Sequence, residues 1–179
     1  MITDKDFDHF LRNGYIEELL PGTSIEVLLS KFGDDYWYIK EIENNGLIYG
    51  IIKVGFIEFH IYNEKINGIS YRPDIPFPKK DFIGVIMPWI FKNREISIVE
   101  KNMNDKKIEY KRYIVAGASN TFHPAAGCLI GLEEDYEHHI IDTVGGVTFL
   151  FEYNEKTKQL EARQICKYYD IHKNNTNQE

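Results

Sequence analysis

The chain has 179 residues and a formal net charge of -7, with 43% hydrophobic and 14% aromatic residues, enough apolar surface for one domain or two small ones with packed cores. The acidic balance speaks against nucleic acid and against an anionic membrane as partners, since binding either calls for clustered Lys and Arg; a basic partner is favoured instead. No stretch is long and apolar enough to cross a bilayer, and the opening Met1-Ile2-Thr3-Asp4-Lys5-Asp6 lacks the basic-then-apolar pattern of a signal peptide, so the expected location is the cytoplasm.

Phe7, Phe10 and Leu11 recur at helical spacing from Asp4 onward, and Asn13-Gly14 supplies the left-handed stop of a short amphipathic helix. After Pro21-Gly22, Thr23 and Glu26 stand at the spacing of a capping box, and Ile25, Leu28, Leu29 and Phe32 share one face before Gly33. Strands follow at Tyr36 to Ile42 and Leu47 to Val54, around the turn residues Asn44-Asn45-Gly46. Gly55 to Tyr71 then reads as a hairpin closed by a tight polar turn at Tyr62-Asn63-Glu64-Lys65.

The three prolines in Arg72 to Pro78 remove amide donors and place a boundary there. Beyond it, the apolar run from Phe82 to Phe91 carries Trp89 toward a core. Asn93 is placed to cap a helix over about Arg94 to Asn104, with Ile96, Val99 and Met103 facing inward. A half-wet strand covers Lys107 to Val115, and Ala116 to Gly127, small and polar, reads as a long loop. Cys128 to Leu132 and Ile140 to Val144 read as strands, with Glu133 to His139 an acidic loop between them. The chain closes on a hairpin from Gly146 to Ile165 and a polar tail.

That last hairpin repeats Tyr-Asn-Glu-Lys at Tyr153-Asn154-Glu155-Lys156, which leads to an α+β fold of two tandem units, each one or two helices packed on an antiparallel sheet of about four strands. The expected division is 1–72 for the first unit, 73–81 for a proline-containing linker, 82–169 for the second unit and 170–179 for a disordered tail. The apolar faces of the two hairpins differ in register by one residue. A bulge or a different turn length absorbs that slip, or else the match is chance.

Pro21-Gly22-Thr23-Ser24-Ile25-Glu26-Val27-Leu28-Leu29-Ser30-Lys31-Phe32-Gly33, then an aromatic strand and Phe56-Ile57-Glu58-Phe59-His60-Ile61, resembles small bacterial cytosolic immunity proteins found beside secreted toxins. It is distantly similar to the tandem helix-plus-sheet module of the β-lactamase inhibitor protein and of small outer-membrane lipoproteins. The resemblance covers roughly Asp4 to Tyr71; no leader or lipidation cysteine is read in the sequence, so an envelope role is not expected.

Among candidate sites, His138-His139 lies amid Glu133, Glu134, Asp135, Glu137 and Asp142, but adjacent strand histidines point to opposite faces, so no metal site is expected. Glu58 and His60 share the outer face of a strand, where a half-exposed histidine is the expectation. Cys128 and His123 are the components of a thiolate pair without a family signature around them; Cys128 and Cys166 both read as reduced and buried. No cofactor motif stands out. The chemistry that protein interfaces favour is richest in Asp34-Asp35-Tyr36-Trp37 and in Glu133-Glu134-Asp135-Tyr136-Glu137, where carboxylates surround tyrosine and tryptophan rings. The resulting expectation is a non-catalytic binding protein, an immunity-type inhibitor that occludes the active site of a basic toxin domain through those nine residues. The alternatives are a small hydrolase-type enzyme using the 116–139 loops, with His123, Cys128 or His138, and a structural or regulatory adaptor pairing through a sheet edge.

Overall fold

The computed structural model describes residues 3–16, 18–32, 37–42, 48–54, 57–71, 89–116, 120–123, 128–131 and 137–169. In chain order these form α1 (Asp4–Asn13), α2 (Ile25–Phe32), β1 (Trp37–Ile42), β2 (Ile48–Val54), β3 (Ile57–Tyr62) and β4 (Lys65–Tyr71). A single 3-10 turn, Trp89–Phe91, leads to α3 (Ile96–Asp105), β5 (Tyr110–Ala116), β6 (Asn120–His123), β7 (Cys128–Gly131), β8 (Glu137–Thr143), β9 (Thr148–Asn154) and β10 (Gln159–Tyr168). No helix among them is long and apolar enough to cross a membrane.

The α+β class and the antiparallel pairing hold, but the expectation of two tandem sheets is overturned. Eight strands form one sheet in the order β1-β2-β3-β4-β10-β9-β8-β5, and β6-β7 make a separate ribbon. The two halves fuse because β4 does not stay an edge: Gly68, Ile69, Ser70 and Tyr71 pair antiparallel with Tyr168, Lys167, Cys166 and Ile165. A four-stranded unit standing alone would leave that row of amides and carbonyls open to another chain, and the fusion satisfies it internally. The proline-rich boundary and the tail lie outside the described residues.

One face of the sheet carries the core. Phe59 and Ile69, then Tyr71, Ile165, Phe149 and Ile141, follow one another across the strands and pack in one cluster with Phe7, Phe10 and Leu11 of α1, Leu28 of α2, and Ile96, Val99 and Met103 of α3. Both halves therefore share a single core. Each fully buried Phe or Leu there contributes on the order of 1.5–3 kcal/mol.

α1 starts with a capping box between Thr3 and Asp6 and ends at Gly14, whose φ of 80° is left-handed as its place after the last turn requires. Its apolar side meets Tyr71, with ring centroids 5.0 Å from Phe7 and 5.5 Å from Phe10. Its polar side is tied down as well. Trp89 donates from its backbone to Asp4 at 2.9 Å and from its indole to Asp8 at 3.1 Å, Lys106 reaches Asp8 at 2.7 Å, and Arg12 donates to the carbonyls of Lys106 and Lys107. The sequence reading of Trp89 as a core residue is thus met.

Two helices begin later than their sequence signals predict, for one reason. Ahead of α2, the Thr23 carbonyl accepts from Ile66 at 2.9 Å and Gly22 donates to the Ile66 carbonyl, so that stretch is held against β4 and the helix starts at Ile25. Ahead of α3, Ala162 of β10 donates to the Arg94 carbonyl at 2.8 Å and Glu95 bridges Glu161, which delays the start to Ile96. In both places pairing to the sheet outweighs the local cap.

The expected loop over Ala116 to Gly127 instead contains β6, and the expected acidic loop ends early because β8 takes up Glu137, His138 and His139. The repeated Tyr-Asn-Glu-Lys makes two different turns. Asn63 and Glu64, both left-handed at φ 51° and 63°, form a two-residue turn, whereas Asn154 pairs with Gln159 across a longer one and β10 bulges between Ala162 and Gln164. Both hairpins carry a bulge in the second strand, so the difference in turn length accounts for the one-residue slip between them.

The C-terminal cap of α1 rests on the β8–β9 turn so closely that a Cβ on Gly145 would lie 2.7 Å from backbone atoms of Arg12, Asn13 and Gly14. Gly145→Ala is expected to lower the unfolding free energy by roughly 1–3 kcal/mol through overpacking alone. Gly22→Ala, with open space around it but a φ of 83°, should cost about 1 kcal/mol for the left-handed backbone. Urea unfolding of the two variants separates these causes.

Candidate functional site

The face away from the helices carries a polar row that crosses every strand of the eight-stranded sheet. Cα partners run Trp37, Lys53, Glu58, Ser70, Cys166, Thr148, Asp142, Lys111, from β1 to β5. Its centre is sealed: Ser70 and Thr148 are fully buried and Cys166 is 3% exposed. Buried hydroxyls are costly without partners, and here each finds a carboxylate one strand further out. Ser70 donates to Glu58 at 3.3 Å, and Lys53 holds the other oxygen of that carboxylate at 3.0 Å. Thr148 and Tyr113 both donate to Asp142 at 2.6 Å. Burial and the Asp142 carboxylate push the Tyr113 hydroxyl well above its ordinary pKa.

His60 of β3 adjoins the row. Its Nε2 lies 2.9 Å from Ser70 Oγ and 3.0 Å from the hydroxyl of Tyr168. Nε2 thus faces two oxygens, and the same Tyr168 hydroxyl lies 3.4 Å from Nδ1. Glu58 shares its side of the strand as the alternation requires, and His60 is partly exposed, as expected there. Loss of solvent lowers its pKa from 6.5 to about 4, against the opposing pull of Glu58.

This constellation has the residue types of a hydrolase and the wrong order. A serine nucleophile needs an imidazole nitrogen with a free lone pair on its hydroxyl and a carboxylate behind the ring. Here the Glu58 carboxylate bonds the serine hydroxyl itself and does not stand behind the ring, and the serine is fully buried. The arrangement can hold strands together and fix a tautomer; it does not present a nucleophile.

Of the nine residues expected to form the partner surface, Asp34, Asp35, Tyr36, Glu133, Glu134, Asp135 and Tyr136 lie outside the described residues. Trp37 opens β1, and Glu137, exposed, opens β8. Six strand spacings separate those two strands, roughly 29 Å at about 4.8 Å each. The sheet does not bring the two ends together.

The adjacent histidines of β8 do face opposite ways. His138 is 4% exposed on the side of Ile140, and its Nε2 has no partner among the described residues. Loss of solvent, and after it Arg112 at 3.4 Å, lowers the pKa of His139. No group of three or more His, Cys, Asp or Glu side chains capable of holding a metal occurs among the described residues. In the β6-β7 ribbon His123 and Cys128 are direct Cα partners.

Sequence reasoning found Glu58 and His60 but missed Ser70, Thr148, Asp142 in its hydroxyl-binding role, and Tyr168. The available signal was a polar side chain inside each otherwise apolar strand; which of these meet depends on register across the β4–β10 seam. No family model, curated protein or solved structure matches this chain.

Ser70→Ala removes the oxygen that His60 faces and the donor that Glu58 accepts. It should lower stability by about 1–3 kcal/mol, the cost of stranding buried polar groups, measured by denaturant unfolding at pH 7.

Proposed function

We propose that the chain is a non-catalytic binding protein, an inhibitor of the immunity type that neutralises a basic toxin domain by covering its active site. The observation that carries this reading is the wiring of the polar row. Ser70, His60 and Glu58 are consumed in cross-strand hydrogen bonds, so they serve the scaffold and leave function to the exterior. That exterior is acidic, with a net charge of -7, and bears rings. Tyr49, 37% exposed, stacks edge-on with Tyr62 at 4.8 Å on the same side of the sheet as the polar row. The likeness of the first half to immunity proteins belongs to this proposal, as do a cytoplasmic location and Asp34, Asp35, Tyr36, Trp37, Glu133, Glu134, Asp135, Tyr136 and Glu137 as contacts. In such a complex the charges speed association and the rings set affinity.

Co-expression and pull-down with the product of the adjacent gene tests it. A complex should form at micromolar concentration or below, with an association rate that falls about tenfold or more between low and high salt, and Asp34→Lys with Asp35→Lys should slow association without unfolding the chain. No complex at micromolar concentration, or an association rate indifferent to salt, overturns the reading.

A second reading rests on one observation, the direct pairing of His123 with Cys128 in β6-β7. It is a small thiol hydrolase, and labelling of Cys128 by iodoacetamide faster than a free cysteine at pH 6, abolished in His123→Ala, would favour it over the inhibitor.

A further inference from the structure

We propose that His60 is an acid-sensitive latch on the seam between the two halves of the sheet. The seam is short, four residue pairs long, and Gly68 opposite Tyr168 forms its end. Tyr168 does more than pair there. A Cβ on Gly68 would stand 2.7 Å from Cδ1 of Tyr168, so the ring lies directly on the glycine. Crossing β4 in this way, it reaches β3, where its centroid is 4.7 Å from that of His60 and its hydroxyl meets Nε2. The side chain of one half is thereby clasped over the other. His60 Nε2 faces one oxygen from each strand of the seam, Ser70 on β4 and Tyr168 on β10.

The latch holds while the ring is neutral. Among the described residues, the titratable groups on this side around His60 are Glu58 and Tyr62 on β3, Tyr49 and Lys53 on β2, and Cys166 and Tyr168 on β10. Glu58 is the only carboxylate of the set, and Lys53 and Ser70 already engage its two oxygens. A second proton, taken from solvent onto the ring, therefore places a positive charge where no uncommitted anion and little water meet it. Lifting Tyr168 off Gly68 admits water to the ring, and that movement frees the end of the seam.

The direction follows from the two states. With the clasp closed the imidazole titrates at about 4, and released it returns toward its ordinary 6.5. The closed state is fully favoured above pH 6.5 and loses its advantage as pH falls toward 4, by on the order of a hundredfold in the opening equilibrium. Below that it changes no further.

Amide hydrogen exchange of the intact chain, expressed as protection factors at pH 7 and pH 4, reads this out. Protection at Gly68 to Tyr71 and Ile165 to Tyr168 should fall by up to about a hundredfold, while the β2–β3 and β8–β9 pairs hold theirs, and His60→Gln, neutral at every pH, should leave the seam closed at pH 4. Seam protection that is unchanged with pH, that falls equally in His60→Gln, or that falls together with every other strand overturns the proposal. Should His60→Gln fail to fold, the wild-type chain still decides. The midpoint of the His60 ring titration, followed by nitrogen NMR, must coincide with the loss of seam protection, and a mismatch overturns it.

Discussion

Four antiparallel pairs between β4 and β10 decide the shape of this protein. Without them each half would be a four-stranded sheet with an exposed inner edge and a core of its own to complete. With them, Tyr71 and Ile165 become neighbours, and the apolar face that α1 needs runs unbroken from Phe59 to Ile141. The same pairing places Tyr71 beneath Phe7 and Phe10, fixing α1 over the seam. Once α1 is fixed there, its polar contacts with Trp89 and Lys106 and its close approach to Gly145 draw the elements of the second half against it. One edge-to-edge contact thus propagates into the packing of every layer.

The seam also dictates the chemistry of the opposite face. A strand at the centre of a wide sheet buries both of its sides, so the polar residues of β4 and β10 lose water when the halves join. Ser70, Cys166 and Thr148 occupy that centre, and the nearest carboxylates stand one strand out on either side, each with more than one donor. Grouping charge and hydroxyl in this way meets the desolvation cost by hydrogen bonding rather than by exposure. It explains why residues that together spell a hydrolase in composition serve as cross-strand ties. The enclosure that makes those ties strong keeps His60 neutral, so the interior that stabilises the sheet also makes it sensitive to acid.

In the inhibitor role proposed above, the wide sheet is the platform and loops and surface rings make the contacts. Trp37 and Glu137 open strands near opposite margins of that sheet. A partner that touched both would span a patch about as wide as a standard interface of ~800 Å² per side.

Local order was legible in the residues themselves. Phe7, Phe10 and Leu11 with Gly14, the apolar face of α2, the inward Ile96, Val99 and Met103 of α3, and the two hairpins are all written in spacing and turn chemistry, because a helix or hairpin is stabilised by groups adjacent in sequence. What tertiary structure decided was everything that needs a distant partner. Thr23 and Asn93 carry good helix-start signals, yet the backbones of Thr23 and Arg94 bond to β4 and β10 instead. Two copies of Tyr-Asn-Glu-Lys turn differently because their strands answer to different neighbours. His60 and Glu58 could be placed on one side of a strand from alternation, but Ser70 and Tyr168 joined them only when two strands from opposite ends of the chain came into register. Strand alternation tells each residue its side of the sheet and is silent about which edge will meet which, and in this protein that choice of edge made one core out of two.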